Sequence, residues 1–259
     1  MFAFYLVWPY MGLGAALLLA LLLTTDALRS DLTVSRWQDL VWLAWLGTLA
    51  YLIHQFEEHG IDALGATYAF RAEMCRNFGF PDVEACPIPF SFVTAVNISV
   101  VWVFGPATAL LGRRRPELAL AFFAVPIINA IPHIVPAAVQ GTYNAGLVTA
   151  IVIFVPLSLW VFHVALSRYR LGWRAVIATI VAGIVYHVIM IGSAAVFVAG
   201  RLDVLVLDAI QVINPALILF IVARLGRSPR PRASAPARPA RAPACPRASG
   251  RRPWPADRP

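Results

Sequence analysis

The sequence predicts an all-α, polytopic membrane protein, a bundle of about seven transmembrane helices, and three observations predict it. Of its 259 residues, 60% are hydrophobic and 13% are charged, whereas soluble domains average about 45–50% apolar and about 25% charged. The mean hydropathy is +0.74. The apolar residues also fall in runs close to the roughly 20 residues that a helix needs to cross about 30 Å of hydrocarbon. A water-soluble globular enzyme is excluded on these grounds.

The expected spans, in order, are Phe4–Thr24, Leu40–His59, Phe90–Leu111, Glu117–Val139, Leu147–Ser167, Arg174–Ala199 and Leu205–Ala223. No Arg or Lys precedes the first run, so it does not read as a cleavable signal peptide. Arginines mark alternate connections: Arg29 and Arg36, then Arg113–Arg115, then Arg168, Arg170 and Arg174, then the C-terminal tail. The intervening connections are uncharged or balanced. Residues 60–89 set Arg71 and Arg76 against Asp62, Glu73, Asp82 and Glu84. The positive-inside rule then places the N-terminus outside and the C-terminus inside, which requires an odd number of spans.

The formal charge of +8 raises the question of a nucleic-acid partner. It resides wholly in residues 225–259, where nine Arg face one acid, Asp257. Residues 1–224, the helical domain, hold 12 Arg and 12 acids and are neutral. The Pro/Arg-rich tail lacks the hydrophobics for a core and is expected to be disordered and cytoplasmic. No nucleic-acid partner is expected. The tail is either a solvated topological marker or an adhesive for anionic lipid headgroups. Cys75 and Cys86 lie in the long outer connection; in an oxidising compartment they are placed to bridge, and two free thiols are the other reading.

Ionisable residues in lipid are costly and mark function by default. The run Leu40–Ile53 is too short to cross, so its helix must continue through His54-Gln55-Phe56-Glu57-Glu58-His59. At 1.5 Å per residue, His133 lies about 24 Å from the inner end of its helix, His54 and His187 about 20 Å, and Asn129 about 18 Å. Asn97, seven residues in from the outer end of its helix, falls near the same layer, about 20 Å from the inner end. One shared depth on four helices argues for one site. His54, Glu57 and Glu58 share a helix face, as do Asn129 and His133. His59 lies about 140° around the helix from His54 and is the weaker candidate, expected at the interface. Pro126, Pro132 and Pro136 are expected to distort the fourth span.

His-x-x-Glu on an inward face is how helix bundles present metal ligands. The expected ligands are His54, Glu58, His133 and His187, with Glu57, Glu58 and Asn129 as catalytic groups. One of the two glutamates would ligate and the other act as a base. His and Glu suit Zn²⁺ best, with Fe²⁺ or Mn²⁺ also accommodated. The metal reading requires the ring nitrogens to converge within about 5 Å, beside a Glu.

His54-Gln55-Phe56-Glu57-Glu58 resembles the defining motif of the HXXEE family of bacterial membrane proteins, and Asn129–His133 resembles its N-x-x-x-H motif. The family's Y-x-P-G motif reads Tyr143-Asn144-Ala145-Gly146 here, with Ala145 in place of proline. The resemblance implies a multi-pass protein of the bacterial inner (cytoplasmic) membrane and adds Tyr143 and Gly146 to the residues of interest, but carries no biochemical function. From the residues themselves, the leading expectation is a metal-dependent, hydrolase-type enzyme acting on a lipid or other hydrophobic substrate in the outer half of the bilayer. A proton- or cation-coupled transporter and a structural polar cluster are the alternatives.

Overall fold

The computed structural model describes residues 2–226. The tail expected to be disordered lies outside the described residues, apart from its first two. The described residues form an α-helical bundle: α1 (Phe2–Thr24), α2 (Leu40–His59), α3 (Ala69–Asn77), α4 (Phe90–Gly112), α5 (Pro116–Gln140), α6 (Leu147–Ser167), α7 (Trp173–Val198) and α8 (Val204–Leu225). No named strand occurs among them. Six of these helices are long and apolar enough to cross a membrane. The six are α1 and α4 to α8; α2 ends in the polar His54–His59 segment and α3 is short.

Helix α2 is the centre of the bundle: fifteen of its twenty residues are buried. Its start is set by Asp39, whose carboxylate accepts from the backbone N–H of Val41 and Trp42 and from Ser30 and Asp31. A carboxylate so placed satisfies otherwise unpaired N–H groups at a helix start. Gly60 ends the helix, its N–H bonded to the Phe56 carbonyl. Close packing around α2 needs small residues. A Cβ on Gly47 would lie 2.8 Å from Phe123, and one on Gly105 2.7 Å from the Thr48 hydroxyl.

Two helices contain π-helical stretches, Ile98–Phe104 in α4 and Ala150–Phe154 in α6. Each begins beside a polar residue of the candidate site, Asn97 or Thr149, which is where such bulges tend to occur. Helix α5 breaks at Phe122–Phe123. Pro126 has no N–H for the Phe122 carbonyl, which is taken instead by Val125 N–H at 3.2 Å. Beyond that point the helix runs on through Pro132 and Pro136.

The arginine-bearing connections meet at one end of the bundle. Arg36 donates to the Leu23 carbonyl, Arg113 to the Ala27 carbonyl, Arg168 pairs with Asp31 at 3.1 Å, and Arg115 reaches Ala223 O. The opposite end carries α3 and the loop of residues 141–146. There Cys75 and Cys86 form a disulfide, and the Arg71 guanidinium donates to the Ile88 carbonyl while lying over the Phe90 ring.

Helices α5 and α7 touch most closely where a Cβ on Gly183 would stand 2.1 Å from the Ala124 carbonyl oxygen. Backbone cannot yield there as a flexible side chain would. Gly183→Ala is therefore expected to destabilise the bundle by about 1–3 kcal/mol, read as a lower thermal midpoint in detergent, whereas Gly192→Ala, which meets nothing within 4 Å, is expected to leave it unchanged.

Candidate metal centre

Helix α2 delivers His54, Glu57, Glu58 and His59 to the end of the bundle away from the arginines, and all four are buried. Glu58 lies between the histidines. Its Oε1 is 3.4 Å from His54 Nε2 and 3.2 Å from His133 Nε2, and its Oε2 is 3.4 Å from His59 Nε2. Ligand-type atoms of His54, Glu58 and His133 lie within 4.8 Å of one another, and this is the group with metal-holding geometry among the described residues.

The hydrogen bonds behind the imidazoles decide which way their lone pairs face. Thr149 has one hydroxyl proton, and its oxygen stands 2.5 Å from Glu57 Oε2. With that hydrogen donated to the carboxylate, the hydroxyl oxygen accepts from His54 Nδ1–H at 2.6 Å. Asn144 is oriented by its amide, which donates to the His133 carbonyl at 2.8 Å, so its Oδ1 accepts from His133 Nδ1–H at 2.9 Å. In their neutral forms both imidazoles direct Nε2 toward the same carboxylate oxygen, and the Nε2 of His54 also receives the Asn129 amide N–H at 3.0 Å. At His59 the bond falls on Nε2 itself, from Asn97. Its Oδ1 accepts from Gln55 and its amide donates to Val93 O, so the bond of 3.2 Å to His59 Nε2 is an amide N–H meeting a lone pair.

Glu57 faces the other way. Its Oε1 accepts from Tyr143 OH and Val148 N–H, both at 3.0 Å, and its Oε2 from Thr149 N–H at 2.8 Å as well as the Thr149 hydroxyl. It caps the N-terminus of α6, where unpaired N–H groups and the helix dipole favour an anion. Tyr143 OH also accepts from Ala63 N–H at 3.1 Å. Partial burial and the Glu57 carboxylate hold the Tyr143 phenol well above its ordinary range, so it remains a donor. Gly146, at φ +93°, is required here: a Cβ would lie 2.7 Å from His133 Cε1 and 2.8 Å from His54 Cε1.

Of the other expected residues, Asn129 places its amide 3.0 Å from His54 Nε2. His187 stands outside the close group, its Nδ1 donating to the Gly183 carbonyl at 2.8 Å. It lines a cavity of about 680 Å³ together with Glu58, His59, Asn97, Asn129, His133 and Tyr143. Glu57 and His54 do not line it. Sequence reasoning passed over Thr149, Asn144 and Glu73 and set His59 aside. Glu73, on α3, accepts the Ala145 N–H at 3.1 Å and lines the cavity opposite Glu58; partial burial pushes its carboxyl up.

The family model described as "Protein of unknown function with HXXEE motif" matches residues 45–161. Residues 45–161, just under half of the chain, are similar to that family. The HXXEE region contains the whole convergent group, the Glu57–Thr149 cap and Asn144, while His187 lies beyond it. No curated protein and no solved structure matches the chain.

Because Glu57 satisfies four donors, Glu57→Ala is expected to cost about 1–3 kcal/mol of stability. Glu57→Gln, which keeps the shape and one acceptor oxygen, should cost less. Thermal unfolding of the two variants beside the wild type checks the order.

Proposed function

We propose that this is a membrane-embedded metalloprotein whose centre is His54, Glu58 and His133. The observation that carries the proposal is the convergence of three electron-pair donors, His54 Nε2, His133 Nε2 and Glu58 Oε1, with each imidazole Nδ1–H already committed to an acceptor behind it. Acceptors facing acceptors repel unless a cation lies between them, and such second-layer bonds are the usual way metal-ligating histidines are oriented. A His₂Glu set suits Zn²⁺, with Fe²⁺ or Mn²⁺ as the other candidates.

The proposed activity is hydrolysis of a lipid or other hydrophobic substrate. A divalent ion held by three protein ligands with one open position supplies a Lewis acid and a hydroxide near neutral pH. The cavity supports this reading, since Glu58 and His133 form part of its wall and its volume lies in the range of about 300–1,000 Å³ that holds small ligands. Asn129 is positioned to orient a ligand or a carbonyl, and Glu58 is assigned as ligand. Glu57, with its four donors, positions the site through Thr149.

The proposed topology has seven spans, with α2 as the seventh, the N-terminus outside and the C-terminus inside the bacterial cytoplasmic membrane. The meeting of the arginine-bearing connections at one end supports it, as does a disulfide at the other, where an oxidising compartment is expected. The site then lies in the outer half of the bilayer, with membrane lipids as neighbours and no nucleic acid as partner.

Metal analysis tests the centre. Wild-type protein purified without chelator is expected to carry about one equivalent of zinc, and Glu58→Gln and His133→Ala to lose it. Equal, sub-stoichiometric metal in all three would contradict the reading. Restoring the ion to stripped protein at about 100 times its dissociation constant should stabilise the fold by about 2.7 kcal/mol.

A further inference from the structure

The cavity in front of the metal centre has an amphipathic mouth. Among its lining residues, Arg76, Asn77, Pro132, Gln140, Thr142 and Ile191 are exposed, while Glu58, His59, His133 and His187 form a buried floor. The polar members of the mouth stand at the end of the bundle: Arg76 and Asn77 close α3, Gln140 is the last residue of α5, and Thr142 is in the following loop. Its apolar members lie deeper. Pro132 is eight residues, or about 12 Å, back from Gln140 along α5, and Ile191 is seven residues, or about 10 Å, back from the end of α7.

The two deep members belong to different helices that read as membrane spans. Helices α5 and α7 are pinned together at Ala124–Gly183, yet Ile191, two turns further along α7, is 52% exposed and lines the cavity. Exposed Pro132 and Ile191 thus put apolar lining of the cavity on both α5 and α7, away from its polar end. A water-soluble substrate needs no apolar lower lip; a molecule already in the bilayer does. At the polar end, the Arg76 guanidinium makes no hydrogen bond among the described residues, and its charge acts on the Glu73 carboxylate, which accepts the Ala145 N–H.

We propose that the α5–α7 gap is a lateral entrance for a single-chain anionic amphiphile, whose chain passes between Pro132 and Ile191 and whose carboxylate or phosphate head is held by Arg76. This inference rests on the proposed centre only for the fate of the molecule, because entry and headgroup recognition use residues outside the His54, Glu58 and His133 set. A site of this size accepts a drug-sized molecule, which suits one chain with its head, and Arg is the side chain whose planar fork matches carboxylate or phosphate.

Photolabelling in vesicles tests it. The probes are palmitate carrying a diazirine in its chain, the corresponding uncharged alcohol, and a diazirine lysophosphatidate, with labelled peptides mapped by mass spectrometry. Label from the anionic probes is expected to concentrate on residues 132–140 and 187–194, and Ile191→Trp should lower it several-fold by filling the gap. Arg76→Ala should weaken labelling by an anionic probe about tenfold, the effect of one charge-assisted hydrogen bond, and leave the alcohol unchanged. Arg76→Lys should recover part of it. A preference between palmitate and lysophosphatidate identifies the head as carboxylate or phosphate. Label spread over all lipid-facing helices and indifferent to Ile191→Trp would overturn the entrance; equal response of charged and uncharged probes to Arg76→Ala would overturn the headgroup assignment. Metal content is measured on the same samples. Glu58→Gln is expected to lose metal and keep the labelling pattern, so failure of the centre and failure of the entrance are read separately.

Discussion

Thr149 donates its one hydroxyl hydrogen to the nearby Glu57 carboxylate oxygen, and the orientation of His54 follows from that assignment. The hydroxyl oxygen is left to accept His54 Nδ1–H, which turns the His54 Nε2 lone pair toward Glu58. The same carboxylate caps α6 and holds Tyr143, so the loop that brings Asn144 to His133 and Gly146 against both imidazoles is fixed by the group that orients His54. The adjacent glutamates of α2 thus have opposite tasks. Glu57 collects donors, whereas Glu58 lies among the imidazoles of His54, His59 and His133, where the proposed cation would sit.

Burial makes that difference matter. His54, Glu58 and His133 are each less than 5% exposed, and buried polar groups are costly unless they are paired. The central position of α2 serves the same end. A helix ending in His54–His59 is a poor span by composition, but four membrane-length helices, α1 and α4 to α6, contribute neighbours that cover it. The small residues Gly47, Gly105 and Gly183 allow the close packing that this cover requires.

Much of the site was legible in the sequence because helical periodicity is strict. The i, i+4 spacings of His54–Glu58 and Asn129–His133, with the matching depths on α2 and α5, follow from 3.6 residues per turn. Depth alone does not fix direction, however. His187 has the expected height on α7, yet its ring is bonded to its own helix at the Gly183 carbonyl and stays outside the close group. His59 shows the converse. Its angle from His54 reads as divergent, but Glu58 lies between them in the sequence and its two oxygens reach one histidine each. Thr149, Asn144 and Glu73 were invisible for another reason. Their roles depend on the 141–146 loop and on α3 folding back over it, which no periodicity encodes. For the spans, six helices are long and apolar enough, while α2 is expected from the sequence only by continuing the Leu40–Ile53 run through the polar His54–His59 segment.

The central claim is that His54 Nε2, His133 Nε2 and a Glu58 oxygen share one cation, and X-ray absorption at the zinc edge of the purified protein tests it most directly. The account predicts a first shell of nitrogen and oxygen, with Zn–N at about 2.0–2.1 Å, imidazole scattering from two histidines and no sulfur. In Glu58→Gln this spectrum should disappear. A shell containing sulfur at about 2.3 Å, a spectrum without imidazole scattering, or one unchanged in Glu58→Gln would contradict it.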